Sequence, residues 1–240
     1  MSQFAWVEVK RLQPTIAGGK WPYWGARFGR LTVELDSYVR SSRAGIRRIW
    51  NGNMGREYEE VTSEVAEWIA QQRMFFVATA PLSAHGHINC SPKGMDTFRI
   101  LGPREVGYLD LTGSGIETAA HLRENRRIVF MFCAFSGPPK IMRLHGVGDY
   151  QVPGTARFEE VAGLFPDMPG TRGIVRVTLT RIADSCGYAV PRYDFVEERD
   201  TLKRWAESKG AEGLELYRKN RNEKSLDGLP GICARNADGV

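Results

Sequence analysis

The sequence predicts a mainly β, α+β domain: a small barrel of about six antiparallel strands, with helices between and after them. Short segments of strand length dominate the region from 74 to 184, either continuously apolar or alternating with a period of two. The turns between them are too short for the helical crossovers that a parallel sheet requires. At 240 residues and 42% hydrophobic composition, the chain can form one large domain or one domain with an appendage.

The first predicted element is an amphipathic helix at residues 61–73. Val65 and Ile69 lie four positions apart and therefore share one face of this helix. Thr62 or Ser63 can cap its first turn, because a side-chain oxygen there accepts a hydrogen bond from a free backbone N–H.

The predicted strands follow from β-rich composition, from apolar runs of strand length and from alternation. Residues 127–135 are continuously apolar and predict a buried strand, whereas residues 173–184 alternate clearly. The strand-like segments are 74–80, 88–94, 97–101, 105–111, 127–135, 140–151 and 173–184.

Three further helices are expected at 116–125, 156–165 and about 197–221, with an irregular stretch at 185–196. The predicted organisation is therefore a barrel domain at 54–196, followed by a C-terminal helix and tail at 197–240 that pack on it.

Residues 1–53 differ from the rest of the chain. They hold nine Lys or Arg against three Asp or Glu, whereas residues 54–240 hold 24 against 25. They also contain four of the six tryptophans and no clear period. We interpret them as a disordered extension, or one translated from upstream of a start at Met54. A basic binding arm and a membrane-surface segment are the alternatives.

Composition narrows the function classes. The charge-balanced part of the chain offers no electrostatic argument for nucleic acid, and no apolar run approaches the 18 residues of a membrane span. Four cysteines without a CxxC pair indicate reduced thiols, as in a cytoplasmic protein. No leader with an apolar segment is visible, so a cytoplasmic location is expected.

The segment "LDLTGSGIETAAHL" combines a strand, a Gly/Ser loop and the start of a helix. Free N–H groups and the helix dipole at such a junction can hold a phosphate, and the hydroxyls of Ser114 and Thr118 can donate hydrogen bonds. It matches neither GxxxxGK[ST] nor GxGxxG. A glycine turn before an ordinary capped helix is the alternative.

The segment "NCSPKG" places a lysine inside a predicted strand. Alternation puts Asn89, Ser91 and Lys93 on one face. Two hydrogen-bonding groups and a cation suit a polar, anionic ligand. An exposed lysine that protects an edge strand is the alternative.

From about residue 56 to 232, the chain resembles the pyridoxamine 5'-phosphate oxidase-like superfamily of FMN-binding split barrels, in particular its flavin-nucleotide-binding group. The segments "NCSPKG", "LDLTGSGIETAAHLREN" and "SCGYAVPRYDFVEERDTLKRWAESKG" carry this resemblance. It implies a split barrel, a homodimer with FMN at the subunit interface, and an FMN-dependent oxidoreductase acting on a small molecule.

The resemblance also implies which residues contact FMN. These are Asn89, Ser91, Lys93, Gly94, Thr112, Ser114, Gly115, Thr118, Lys140 and Arg143. The oxidases proper begin the helix with an Arg-Lys pair that grips the phosphate, which is absent here. Lys140 or Arg143 is therefore expected near the phosphate and Lys93 near the ring edge, with a flavin and not a side chain as its anion. Tyr188 and Tyr193 are expected on the substrate side.

The sequence leaves several other functions and cofactors open. The protein can be a flavin-binding or redox-sensing protein without turnover, a haem-binding or haem-degrading barrel, or one that uses a deazaflavin. His85, His87, His121 and His145 match no familiar zinc spacing, so no metal site is expected. No catalytic residue is identified, because no acid/base pair stands out.

Overall fold

The computed structural model describes residues 55–232, so the predictions for residues 1–53 and for the end of the tail lie outside the described residues. The four helices of this part are α1 (Ser63–Ala70), α2 (Glu117–Asn125), α3 (Ala156–Ala162) and α4 (Thr201–Arg221). The strands are β1 (Glu57–Tyr58), β2 (Phe75–Thr79), β3 (Asn89–Lys93), β4 (Phe98–Gly102), β5 (Glu105–Leu111), β6 (Arg127–Cys133), β7 (Ile141–Gln151) and β8 (Thr171–Ser185).

The strands form one antiparallel sheet in the order β3-β2-β6-β7-β8-β5-β4, with β1 paired to β8. The predicted α+β class and antiparallel pairing are confirmed. The described part contains eight strands, more than the roughly six expected, and its sheet is not closed. β3 and β4 are the two ends of the path, which leaves β3 as an edge strand.

The core lies on the inner face of this sheet. Five aromatic rings meet there in edge-to-face and stacked pairs whose centroids are 5.0–6.1 Å apart: those of Phe75, Phe98, Tyr108, Phe130 and Phe132. Val175, Val177 and Leu179 of β8 are buried, while Thr178 and Thr180 face outward. The predicted alternation of this strand is therefore confirmed.

The sequence predicted most helix and strand boundaries to within a few residues of those in the structure. Thr62 is the N-cap of α1, and its side chain accepts a hydrogen bond from the Val65 N–H at 3.3 Å. The two-residue strand β1 was missed, because two residues are too short to show alternation. The predicted C-terminal helix is interrupted at Gly210, whose φ of 62° lies outside the helical region. No helix among residues 55–232 is long and apolar enough to cross a membrane.

Gly146 lies where the register between β7 and β8 shifts, and the atoms around its Cα leave no room for a side chain. A Cβ there would lie 2.5 Å from the Thr178 carbonyl oxygen and would also overlap Val177. We expect Gly146→Ala to lower the free energy of unfolding by about 1–3 kcal/mol, because the clash involves backbone that cannot turn aside. Urea denaturation measures the change. Gly163→Ala is the control, since nothing lies within 4 Å of a Cβ at that position; equal effects would contradict this explanation.

Candidate functional site

A cavity of about 340 Å³ lies between the edge strand β3 and the loop that precedes α2. On β3, Asn89, Ser91 and Lys93 are half-buried and line it, whereas Cys90 is exposed on the opposite face. The predicted polar face of this strand is therefore present. Of the predicted cofactor residues, the cavity brings together Asn89, Ser91, Lys93, Gly94, Ser114, Gly115 and Thr118.

The loop at residues 112–115, called the TGSG loop here, forms the opposite wall through Gly113, Ser114 and Gly115. Ile116 occupies the N-cap position of α2 and makes no side-chain capping hydrogen bond, so the alternative of an ordinary side-chain-capped helix is not what the structure shows. The first N–H groups of a helix lack partners within the helix and favour anionic groups. The Glu117 carboxylate lies close to the Gly115 Cα, where it would overlap a Cβ, so a larger residue at this position would displace the Glu117 side chain.

Hydrogen bonds connect the cavity wall to a buried histidine. The Ser91 hydroxyl donates to Asn89 Oδ1 at 3.0 Å, and Asn89 Nδ2 donates to Thr118 Oγ1 at 3.0 Å and to Thr79 Oγ1 at 3.3 Å. Thr79 Oγ1 is 2.9 Å from His121 Nδ1. Burial lowers the pKa of His121, which keeps its imidazole neutral at pH 7. These contacts fix the orientation of the Asn89 amide within the cavity wall.

Lys93 meets a side-chain anion, contrary to the prediction that its partner is a flavin alone. Its Nζ lies 3.6 Å from Asp110 Oδ1, and Asp110 is only 1% exposed. Asp110 Oδ1 has no hydrogen-bond donor among the described residues. The Lys93 ammonium is therefore attracted to the buried Asp110 carboxylate, while about a quarter of the lysine side chain stays exposed.

Arg172, at the start of β8, lies beneath the same cavity and contributes to its lining. Its Nε donates to Asp110 Oδ2 at 2.7 Å, and its Nη1 donates to Asn222 Oδ1 at 3.0 Å and more weakly to the Gly113 carbonyl at 3.4 Å. Tyr150 also donates its hydroxyl to Asp110 Oδ2, at 2.8 Å. One guanidinium thus joins the buried carboxylate to the TGSG loop and to the end of α4.

The electrostatics of this buried cluster favour the ionised pair. Burial by itself would raise the pKa of Asp110, but Arg172 and Lys93 outweigh it and hold that pKa below its usual range. Burial and the Asp110 charge raise the pKa of Tyr150 well above 10, so its phenol stays protonated. Lys93, Arg172 and Glu117 line the cavity, and together with the buried Asp110 behind its wall they amount to two positive and two negative charges.

Three predicted cofactor residues do not line this cavity. Thr112 is buried, donates its hydroxyl to the Gly170 carbonyl at 2.7 Å and accepts from Arg218. Lys140 Nζ lies 3.7 Å from Asp184 Oδ2, and Arg143 donates to Ser185 Oγ at 2.8 Å. Within one chain, two guanidinium groups contact the TGSG loop, that of Arg218 at Thr112 and that of Arg172 at Gly113, whereas Lys140 and Arg143 pair with other residues. A cofactor role for these three residues stays a prediction.

The remaining predicted residues lie elsewhere. Tyr188 is exposed, whereas Tyr193 lines a second cavity next to the first. His87 is exposed and its Nδ1 lies 2.6 Å from Asp227 Oδ1. In the part of the chain that the structure describes, no three His, Cys, Asp or Glu side chains converge on one point.

Sequence reasoning missed Asp110 and Arg172. A signal for the first was present: an aspartate inside the apolar strand "VGYLDL" is buried unless the strand is at an edge, and a buried carboxylate requires a cation. No local signal identified the partner, since Arg172 is 62 positions away along the chain.

Comparisons with known proteins identify the family of this chain. The sequence profile of the family described as pyridoxamine 5'-phosphate oxidase matches residues 61–186, which is more than half of the chain. A pyridoxamine 5'-phosphate oxidase family protein of Aspergillus flavus, ustO, is 36% identical over 199 residues, covering 75% of this chain and 79% of its own. The chain belongs to the pyridoxamine 5'-phosphate oxidase family. The resemblance noted from "NCSPKG" and "LDLTGSGIETAAHLREN" is thereby confirmed.

The solved structures that resemble this chain share little sequence identity with it. An FMN-binding protein from Syntrophomonas wolfei is 13% identical, covers 62% of this chain and 96% of its own, and has a TM-score of 0.37. An FAD-binding protein from Mycobacterium smegmatis is 17% identical, covers 55% and 96%, and has a TM-score of 0.39. The family assignment therefore rests on the sequence profile and the fungal relative.

Proposed function

We propose that this protein binds FMN in the cavity between β3 and the TGSG loop and acts as an oxidoreductase on a small organic molecule. The observation that supports this best is the cavity itself, which combines the polar face of β3 with the uncapped start of α2. Membership of the oxidase family supports the same function. A homodimer in which a partner completes the site at the exposed edge strand β3 is part of this proposal.

The residues fit a flavin mononucleotide. The Asn89 Oδ1 and Ser91 Oγ atoms can accept hydrogen bonds from a polar ring edge, since their own hydrogens donate within the cavity wall, and the Lys93 ammonium offers a positive charge. Ser114, Thr118 and the N–H groups at the start of α2 would hold the phosphate, with the Arg172 guanidinium below the loop. Because Asp110 and Glu117 offset the two cations, phosphate binding depends mainly on neutral donors.

When bound, FMN supplies the redox chemistry of a hydride or electron transfer. The protein's residues bind and orient the cofactor, and Lys93 stabilises negative charge on the side of the cavity that it lines. Asp110 keeps that ammonium in place and is itself kept ionised by Arg172.

Purification of the full chain tests the cofactor. We expect a yellow protein whose visible spectrum is that of a flavin and which releases FMN on denaturation, as identified by mass. A Soret band on adding haemin, or release of a deazaflavin, would instead support those alternatives. Colourless protein that also fails to bind added FMN would overturn the proposal.

A matched pair of variants tests the position of the phosphate. Ser114→Asp places a carboxylate in the TGSG loop, and we expect about tenfold weaker FMN binding, since it repels the phosphate. Ser83→Asp adds the same charge on an exposed loop that does not line the cavity and should change the affinity by less than twofold. Turnover with NAD(P)H and oxygen, or with an artificial acceptor, then separates an enzyme from a flavin-binding protein.

A further inference from the structure

A second and larger cavity, of about 840 Å³, adjoins the cofactor cavity. The two share Pro92, Lys93, Gly94, Met95 and Leu202 as a common wall. Its volume lies in the range of pockets that bind small organic ligands. A ligand in this second cavity would therefore lie next to whatever occupies the first.

Aromatic and apolar side chains form much of the second cavity. Phe135, Tyr193, Phe195 and Trp205 contribute four rings from three separate segments. Tyr193 is 63% exposed and Phe195 is 52% exposed, although both line a concave surface. Exposed aromatic rings grouped in a concave site gain free energy when a ligand covers them.

The irregular segment 186–200 is fixed on this side by specific contacts. The Tyr193 N–H donates to the Phe135 carbonyl at 2.9 Å, and the two rings lie 5.5 Å apart. The Arg73 guanidinium lies 5.2 Å from the centre of the Phe195 ring. The aromatic wall is thus held in position without regular secondary structure.

The charges around the second cavity balance. Three carboxylates, those of Asp194, Glu197 and Glu198, face three cations, those of Arg73, Lys93 and Arg199. Two of these cations are already engaged, Arg73 with the Phe195 ring and Lys93 with Asp110. A phosphorylated substrate requires uncompensated cations, so this lining favours an uncharged ligand.

We propose that the second cavity is the substrate site and that its substrate is an uncharged aromatic molecule without a phosphate group. This inference rests on the proposed function, because the ligand is a substrate only if a flavin occupies the adjoining cavity. The substrate class is therefore different from the phosphorylated vitamin B6 compound after which the family is named.

Titration calorimetry with naphthalen-2-ol, an uncharged aromatic probe, tests the site on the full chain with and without added FMN. We expect saturable binding that becomes about tenfold weaker in Phe195→Ser. Leu164→Ser is the control, since Leu164 is 56% exposed and does not line the cavity, and it should change the affinity by less than twofold. In FMN-loaded protein, the probe should also shift the visible flavin spectrum.

The outcomes separate the two proposals. Equal affinities in the two variants, absence of binding, or tighter binding of pyridoxamine 5'-phosphate than of the aromatic probe would each overturn the inference about the site. A protein that fails to bind FMN overturns the proposed function and, with it, the substrate role, while calorimetry still shows whether Phe195 contacts the probe. Binding that leaves the flavin spectrum unchanged would place the probe away from the cofactor and also count against the substrate site.

Discussion

Replacing Arg172 by methionine is expected to lower the free energy of unfolding by about 3–5 kcal/mol, because it leaves the Asp110 carboxylate buried without its main partner. Both side chains are almost fully buried, and their atoms lie 2.7 Å apart. Arg176→Met is the matched control on the same strand, since Arg176 pairs with Glu105 and Glu160 at a partly exposed position. That variant should lose at most about 1 kcal/mol. Urea denaturation at pH 7 measures both.

The loss of stability in Arg172→Met should depend on pH, because Asp110 titrates differently in the variant and in the wild type. In the wild type the pKa of Asp110 is lowered, so its contribution to stability is present above the unfolded value, near 3.9, and is lost as the pH falls further through the folded pKa. In Arg172→Met, burial acts with less opposition and raises the pKa of Asp110. The stability deficit of the variant should therefore shrink between pH 7 and pH 4.5.

The double variant Asp110→Asn with Arg172→Met keeps this test informative if the single variant does not fold. We expect it to recover part of the stability, since no unpaired buried charge remains. A deficit that is the same at both pH values, or no larger than that of Arg176→Met, would show that the pair does not stabilise the fold in this way.

Replacing Lys93 by methionine should lower the midpoint potential of bound FMN by about 30–60 mV, since one positive charge near the ring stabilises the reduced, anionic form by a few kcal/mol. This prediction rests on the proposed function. FMN affinity should fall as well. Both quantities are measured on the reconstituted protein, by spectroelectrochemical titration and by fluorescence titration of the flavin.

Lys140→Met is the control for this experiment. Lys140 also lies near an aspartate, at 3.7 Å from Asp184, with a similarly exposed side chain, but it does not line the cofactor cavity. It should therefore leave the potential unchanged. A potential that Lys93→Met leaves unchanged would show that Lys93 does not lie near the ring, whereas a lowered potential in Lys140→Met would place Lys140 near the cofactor.

The candidate site shows how far local patterns extend. Alternation on β3 correctly placed Asn89, Ser91 and Lys93 on one face, because a strand alternates regardless of its neighbours. The glycines and hydroxyls of the TGSG loop likewise indicated the wall opposite. The prediction that no side-chain anion lies beside Lys93 was wrong. Asp110 lies on another strand, and only the packing of the sheet brings it within 3.6 Å of Lys93.

The sequence by itself determined the class of the fold, the order of most of its elements and the two segments on opposite sides of the first cavity, because periodicity and turn chemistry act over a few residues. Only the tertiary structure decided that Arg172 and Arg218 contact the TGSG loop, while Lys140 and Arg143 pair with other residues. The same holds for the second cavity, whose aromatic wall comes from segments as far apart as Phe135 and Trp205. The physical reason is that buried charge pairs and cavities depend on how strands and loops pack, and such contacts leave no periodic trace along the chain.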